Sequence, residues 1–349
     1  MSFDESYGPL AFPDLASRAL RGSVVAASDE FFAEKENLVT PGAPGFRPAT
    51  FGHKGQLYDG WETRRRRGPS GSLPSSDDHD WAIVRLGAPG VVHAVVVDTA
   101  HFTGNFPQAC SVEACYVAGY ASAAALASVQ WTEIVPRSLL TGDSRHVFTV
   151  EPGPRFSHVR LTIYPDGGVA RLRVHGEVVP DPSLLDGLTF DLAALENGGD
   201  VRACSDRFYS SPRNAISPGL SRVMGEGWET RRRRSDGNEW LIVGFAAAAF
   251  VSLVEIDTSG YIGNSPGMAS LRGYAGGDWE QHSSWAPLLP AAELLPDTVH
   301  RFRVSPAGAC DLVRLDVFPD GGVARLRLYG SPTPDGLAGM RRRWAATAP

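Results

Sequence analysis

The sequence predicts an all-β protein built as two tandem jelly-roll β-sandwich domains. Three observations carry this. The chain repeats itself: Asp59-Gly60-Trp61-Glu62-Thr63-Arg64-Arg65-Arg66-Arg67 returns as Glu226-Gly227-Trp228-Glu229-Thr230-Arg231-Arg232-Arg233-Arg234. Within each copy, short runs rich in β-branched residues alternate with Gly- and Pro-containing breaks. Helical periodicity is confined to short pieces such as 28–38 and 121–128. Many short strands in roughly 150 residues per copy form the pattern of a sandwich or jelly roll.

Taken in order, the copies agree at Asp14-Leu15-Ala16 with Asp191-Leu192-Ala193, at Ser28-Asp29 with Ser205-Asp206, and at the signature. They agree again at Trp81 with Trp240 and at Val97-Asp98-Thr99 with Ile256-Asp257-Thr258. Gly104-Asn105-Phe106-Pro107 then matches Gly263-Asn264-Ser265-Pro266. Each copy closes on Pro-Asp-Gly-Gly-Val-Ala-Arg-Leu-Arg, at 165–173 and 319–327. These matches place a first repeat at 1–178, a linker at 179–189 containing prolines, a second repeat at 190–331 and a tail at 332–349. Arg67 and Trp81 are 14 positions apart but Arg234 and Trp240 only 6, and the surplus is Gly/Pro/Ser loop sequence at 68–76. The runs 81–86 and 91–99 read as strands separated by Gly87-Ala88-Pro89-Gly90. The runs 159–163 and 170–174 alternate polar with apolar, and Pro165-Asp166-Gly167-Gly168 between them suits a tight hairpin.

Composition bounds the function classes. A hydrophobic fraction of 43% and a charged fraction of 21% belong to a globular protein with real cores. A net charge of −6 and the lack of spaced basic and stacking residues oppose a nucleic-acid partner. No apolar run reaches the roughly 18 residues of a membrane span. The first ten residues show no basic region followed by an apolar stretch, so no secretory signal and a cytoplasmic location are expected. Cys110, Cys115, Cys204 and Cys310 form no CxxC pair and read as reduced, partly buried thiols. Only Lys35 and Lys54 are lysines, so arginine is so common here that a single one is weak evidence of function.

The signature concentrates aromatic, carboxylate, hydroxyl and guanidinium groups that are costly to bury, which points to a binding or catalytic surface. As a strand it would put Glu62, Arg64 and Arg66 on one face and Thr63, Arg65 and Arg67 on the other. The second face would meet solvent, a neighbouring subunit or acids such as Asp77, Asp78 and Asp80. Asp98 ends a strand before the Gly104-Asn105 turn; it either satisfies that loop's backbone donors or faces a site. His101, beside a carboxylate, is either incidental or a general acid or base. The repeated Pro-Asp-Gly-Gly segment reads as structural. No phosphate loop, zinc motif or nucleophile elbow is present.

Together the signature, Asp-Thr-Ala-His-Phe-Thr-Gly-Asn-Phe-Pro at 98–107 and the paired Pro-Asp-Gly-Gly-Val-Ala-Arg-Leu-Arg strongly resemble allantoicases. Ser28-Asp29-Glu30-Phe31-Phe32-Ala33 with Glu36-Asn37-Leu38 is similar to that family's opening. The resemblance covers nearly the whole chain. It implies galactose-binding-like jelly rolls, a homo-oligomer, and hydrolysis of allantoate to ureidoglycolate and urea in purine breakdown, a C–N hydrolase reaction on a linear amidine. On that footing Arg64, with Arg66 on its face, is expected to hold the substrate carboxylate. Thr63 and Asn105 would meet the ureido groups, and Glu62, Asp98 and His101 would share the acid–base work. Copy two would offer Glu229, Asp257, Arg231 and Asn264 in the same places. It departs where Tyr261 is set against His101, Glu226 against Asp59, Ser265 against Phe106 and Arg272 against Glu113. Copy one is therefore expected to be the better equipped. No spacing signals a metal or other cofactor, and a chelator tests that need. The competing classes are paired carbohydrate-binding modules without catalysis, and an inactive structural paralogue.

Overall fold

The computed structural model describes residues 8–276, 279, 285–305 and 308–349; most of the acidic opening segment lies outside them. The chain divides into two compact units, Met1–Val179 with Thr347–Pro349, and Pro180–Ala346.

The first unit is organised by one long strand, Asp80–Asp98. Its first half pairs antiparallel with Ser23–Ala27 and Arg155–Tyr164, the latter continuing to Ala109–Cys115 and Thr132–Leu139. Its second half pairs with Arg171–Val178 and Arg145–Thr149. One strand thus runs through both layers. Ile83 packs outward under Cys115 and Leu126, while Ala82 and Val84 are fully buried. Beyond the register shift between Arg85 and Gly90 the parity reverses: Ala94 and Val96 pack under Leu10, and Val95 and Val97 turn to the core. The segment expected to separate two strands is instead the corner of one. Gly87 is needed there because a Cβ would sit 1.9 Å from the Leu20 carbonyl oxygen.

The Pro-Asp-Gly-Gly segment is also not a hairpin. Arg155–Tyr164 and Arg171–Val178 pair with opposite halves of the long strand, so residues 165–170 cross between layers. On the way Gly168–Val169 pairs with Trp61–Glu62. This crossing, the signature, and the loop after Asp98 therefore meet at one end of the sandwich.

The second unit repeats the plan around Glu239–Asp257, which pairs with Asp200–Cys204 and Cys310–Phe318 in its first half and with Arg325–Pro332 and Val299–Arg303 in its second. The tail forms the helix Pro334–Ala346. Pro334 opens it, the Thr333 hydroxyl accepts from the Gly336 N–H at 3.0 Å, and Asp335 and Arg343 oppose the helix dipole at its two ends. Met340 is buried and Arg341 pairs with Asp186 at 2.6 Å, within the segment read as a linker. The short helical pieces reduce to Lys35–Val39, a 3-10 turn, and Ala123–Leu126. All four cysteines are free, three of them buried.

Candidate active site

The signature holds strand geometry for two residues only, Trp61–Glu62, and then leaves the sheet. From Thr63 onward each side chain is fixed by specific partners rather than by alternation. Trp61 is fully buried and its indole N–H donates to the Asp29 carbonyl at 2.7 Å. Thr63 exchanges two hydrogen bonds with Gly167: its N–H donates to the carbonyl at 3.1 Å and its hydroxyl accepts from the N–H at 3.2 Å. Arg64 donates to Asp29 at 2.6 Å and lies over the Phe31 ring. Burial alone would raise the Asp29 pKa, but bonds from the Phe31 and Arg64 amides and from the Arg64 guanidinium outweigh it and lower the value. Arg66 donates to Asp80 at 2.7 Å, while its amide donates to Asp166 at 2.6 Å. Copy two repeats this with Trp228 on Asp206, Thr230 on Gly321, Arg231 on Asp206, and Arg233 on Glu239 and Asp320.

Glu62, Arg65 and Arg67 are thereby left to face a cavity of about 670 Å³. Asn105 reaches Glu62 across it, donating to Oε1 at 2.8 Å. Thr63 and Asp166 form part of the wall, and Arg66 lines it while bound to Asp80. Burial raises the Glu62 pKa, and the Asn105 bond and the Arg65 charge only partly offset this. Arg65 is exposed and forms no ion pair with a described residue. The cavity therefore combines a carboxyl of raised basicity, an amide oriented against it and an unpaired guanidinium.

Several expected site residues lie elsewhere. Arg64 and its counterpart Arg231 do not line the cavities, because each is held by an aspartate that also fixes the backbone amide of the same arginine. Asp98 accepts from the Ala100 amide at 2.8 Å and Asp257 from the Ser259 amide at 2.7 Å, so both organise the loop they begin. His101 has a left-handed backbone (φ 68°), donates its amide to Asp143, and stacks its ring on Phe46 at 5.3 Å. Its counterpart is Gly260 (φ 81°), not Tyr261. Tyr261 occupies the place of Phe102, each ring lying against the second glycine of the crossing, Gly322 or Gly168. Glu62, Thr63, Arg66 and Asn105 are brought together; Arg64, Asp98 and His101 are not.

Sequence reasoning also misses residues. Alternation carried past Glu62 sets Arg65 and Arg67 on the wrong face. Asp166 belongs to the segment read as structural. Lys54 and Gln56 come from the short hairpin of Phe51–Gly52 with Gly55–Gln56, for which only the Gly52 and Gly55 spacing gives a signal.

The second cavity, about 680 Å³, keeps Glu229, Thr230, Arg232 and Asn264, with Asn264 donating to Glu229 at 2.7 Å. Its walls differ at matched places, with Ile262 for Thr103, Ser265 for Phe106 and Tyr209 for Phe32, and they include Met224. Among the described residues no three His, Cys, Asp or Glu side chains are grouped to hold a metal ion.

A family model of the allantoicase repeat matches residues 13–179 and again 190–333. The chain belongs to the allantoicase family. A probable allantoicase of Nocardia farcinica is 53% identical over 320 residues, 91% of this chain and 94% of that protein. One from Streptomyces coelicolor is 50% identical over 337 residues, covering 95% and 89%. The crystal structure of allantoicase from Saccharomyces cerevisiae superposes with a TM-score of 0.78 at 32% identity, covering 92% of this chain and 93% of that one. Each cavity lies within one of the two matched repeats.

Proposed function

We infer that this chain hydrolyses allantoate to ureidoglycolate and urea, a step of purine degradation, and that the first cavity is where it does so. The observation that carries the second statement is the Glu62–Asn105 pair beside the unpaired Arg65 in one open cleft. Allantoate bears a carboxylate and two ureido groups on one carbon. Arg65 supplies the guanidinium for the carboxylate, the role that Arg64 gives up to Asp29. Asn105 supplies an amide beside the ureido nitrogens, and Thr63, bound to Gly167, holds the wall behind them.

Glu62 then moves protons. An sp³ carbon beside a carboxylate resists direct displacement of a poor leaving group, whereas the lone pair of the retained ureido nitrogen can expel the other. Glu62 takes the N–H proton of the retained ureido group, a C=N bond forms, and the bond from the α-carbon to the departing nitrogen breaks. That nitrogen receives the proton from Glu62 and leaves as urea. Water adds to the C=N carbon, giving its proton to Glu62, which returns it to the nitrogen. A carboxyl with a raised pKa is suited to taking and returning a proton, a contribution of about 10²–10⁴-fold.

We further propose a homo-oligomer acting in the cytoplasm. Exposed Phe51 and Leu73 in the first unit and Leu220 and Ile262 in the second support association, and four free thiols support a reducing compartment. No helix among the described residues is long and apolar enough to cross a membrane. The activity is tested by incubating the pure protein with allantoate and measuring urea, with and without a chelator. Absence of urea together with binding to a sugar array would favour the carbohydrate-binding reading instead.

A further inference from the structure

We propose that the hairpin 51–56 fits the first cavity to a substrate with two ureido arms, and that Lys54 grips the arm that is not expelled. This rests on the reading of the first cavity as the allantoate site. The hairpin belongs to copy one alone. Asn37 and Asn214 hold equivalent places, each donating to the carbonyl of the glycine before the signature tryptophan, Gly60 or Gly227. Between Asn37 and Asp59 lie 21 residues, and between Asn214 and Glu226 only 11. The ten extra residues include the hairpin, which brings Lys54 and Gln56 into the cavity wall.

Lys54 is distinctive on chemical grounds. The other lysine, Lys35, is paired with Glu30 at 3.0 Å, whereas Lys54 has no ion pair with a described residue. It lies over the Phe31 ring at 5.1 Å, which steadies the ammonium without neutralising it. Gln56 directs its amide donors to the Arg47 and Leu57 carbonyls, at 3.0 and 3.2 Å, and so ties down the base of the hairpin. Arg65 is close enough to Glu62 for its charge to act on that carboxyl; Lys54 is not among the groups that do. Four cationic side chains line the cavity; Arg66 is held by Asp80, and Lys54 is the one that the hairpin contributes. Allantoate has one carboxylate, and with Arg65 on it, the strongest acceptors left for an ammonium are ureido carbonyl oxygens. Copy two has no lysine in its cavity.

The test compares wild type, Lys54→Met and Lys54→Arg. Steady-state urea release gives KM and kcat for allantoate, and N-carbamoylglycine, which carries the carboxylate and a single ureido arm, serves as a competitive probe. Lys54→Met is expected to raise KM about 10–100-fold, the worth of a hydrogen bond to a charged group, with kcat within about threefold. Lys54→Arg should recover part of that loss, and the Ki of N-carbamoylglycine should stay within about twofold in all three proteins. If Ki rises together with KM, Lys54 holds the carboxylate and the proposal is wrong; it is equally wrong if neither changes. Calorimetric titration of the same three proteins with both compounds separates the two readings. A wild type that binds allantoate but releases no urea fails as an enzyme while still testing Lys54 through the difference between the two ligands. A wild type that binds neither overturns the hairpin's role.

Discussion

At the residue scale, the signature divides its work by partner rather than by position. Trp61, Thr63, Arg64 and Arg66 are bound to backbone or carboxylates, and Glu62, Arg65 and Arg67 are left to face the cavity, where we propose that Glu62 and Arg65 act on the substrate. Arg65→Ala is therefore expected to raise KM for allantoate about 10–100-fold, through loss of a charge-assisted contact. Arg64→Ala should leave KM nearly unchanged and lower stability by no more than about 1 kcal/mol, because the Arg64–Asp29 pair is largely exposed on the arginine side. Steady-state kinetics and urea denaturation of the two variants check this, and equal KM effects would mean that Arg64 reaches the substrate. The pH profile belongs to the same scale. Glu62 must be ionised to act as a base, and burial raises its pKa above the ordinary 4.5. Activity should then fall as pH drops through a value above 4.5, and a limb at or below that value would argue against Glu62 as the base. The sequence made Glu62 and Asn105 legible because both copies repeat them in a polar setting. It did not reveal which arginine is free, since that depends on Asp29 and Asp80, which are remote in sequence.

At the element scale, the strand runs, the repeat and the conversion of apolar periodicity into a sandwich were readable from the chain. The crossing at 165–170 was not, because Pro, Asp and Gly suit a hairpin and a layer crossing equally well, and only the pairing of the flanking strands decides. That crossing positions the site. Gly167 has φ 136°, and a Cβ there would lie 2.7 Å from the Asn105 carbonyl oxygen and the Pro107 nitrogen. Gly167→Ala is expected to cost about 1–3 kcal/mol and to displace Asn105 from Glu62. Denaturant unfolding should show the loss, and kcat should fall as well; unchanged stability would mean that the turn relaxes freely. The closing Arg-Leu-Arg has a similar structural use. Arg171, almost fully buried, donates to the carbonyls of Gly42 and Asp59 and to the Asp59 carboxylate, and Arg325 does the same for Gly219, Asn214 and Glu226 carbonyls. These arginines anchor the loops that lead into each signature.

At the scale of the whole molecule, duplication supplied two frames and divergence gave them unequal cavities. Both cores enclose thiols whose burial raises their pKa, Cys110 and Cys310 to about 12 and Cys115 to about 11. A thiol reagent should modify Cys204 quickly in the native protein and the other three only on unfolding; rapid loss of two or more thiols would contradict the packing of one unit. The retained Glu229–Asn264 pair shows that the second frame still builds the polar pair, while no lysine lines its cavity. The claim that the first cavity carries the reaction is tested most directly by urea release from allantoate in wild type, Glu62→Gln and Glu229→Gln at matched protein concentration. The expected result is a fall in kcat of about 10²–10⁴-fold for Glu62→Gln and a change within about threefold for Glu229→Gln. Full activity in Glu62→Gln, or loss of activity confined to Glu229→Gln, would contradict it.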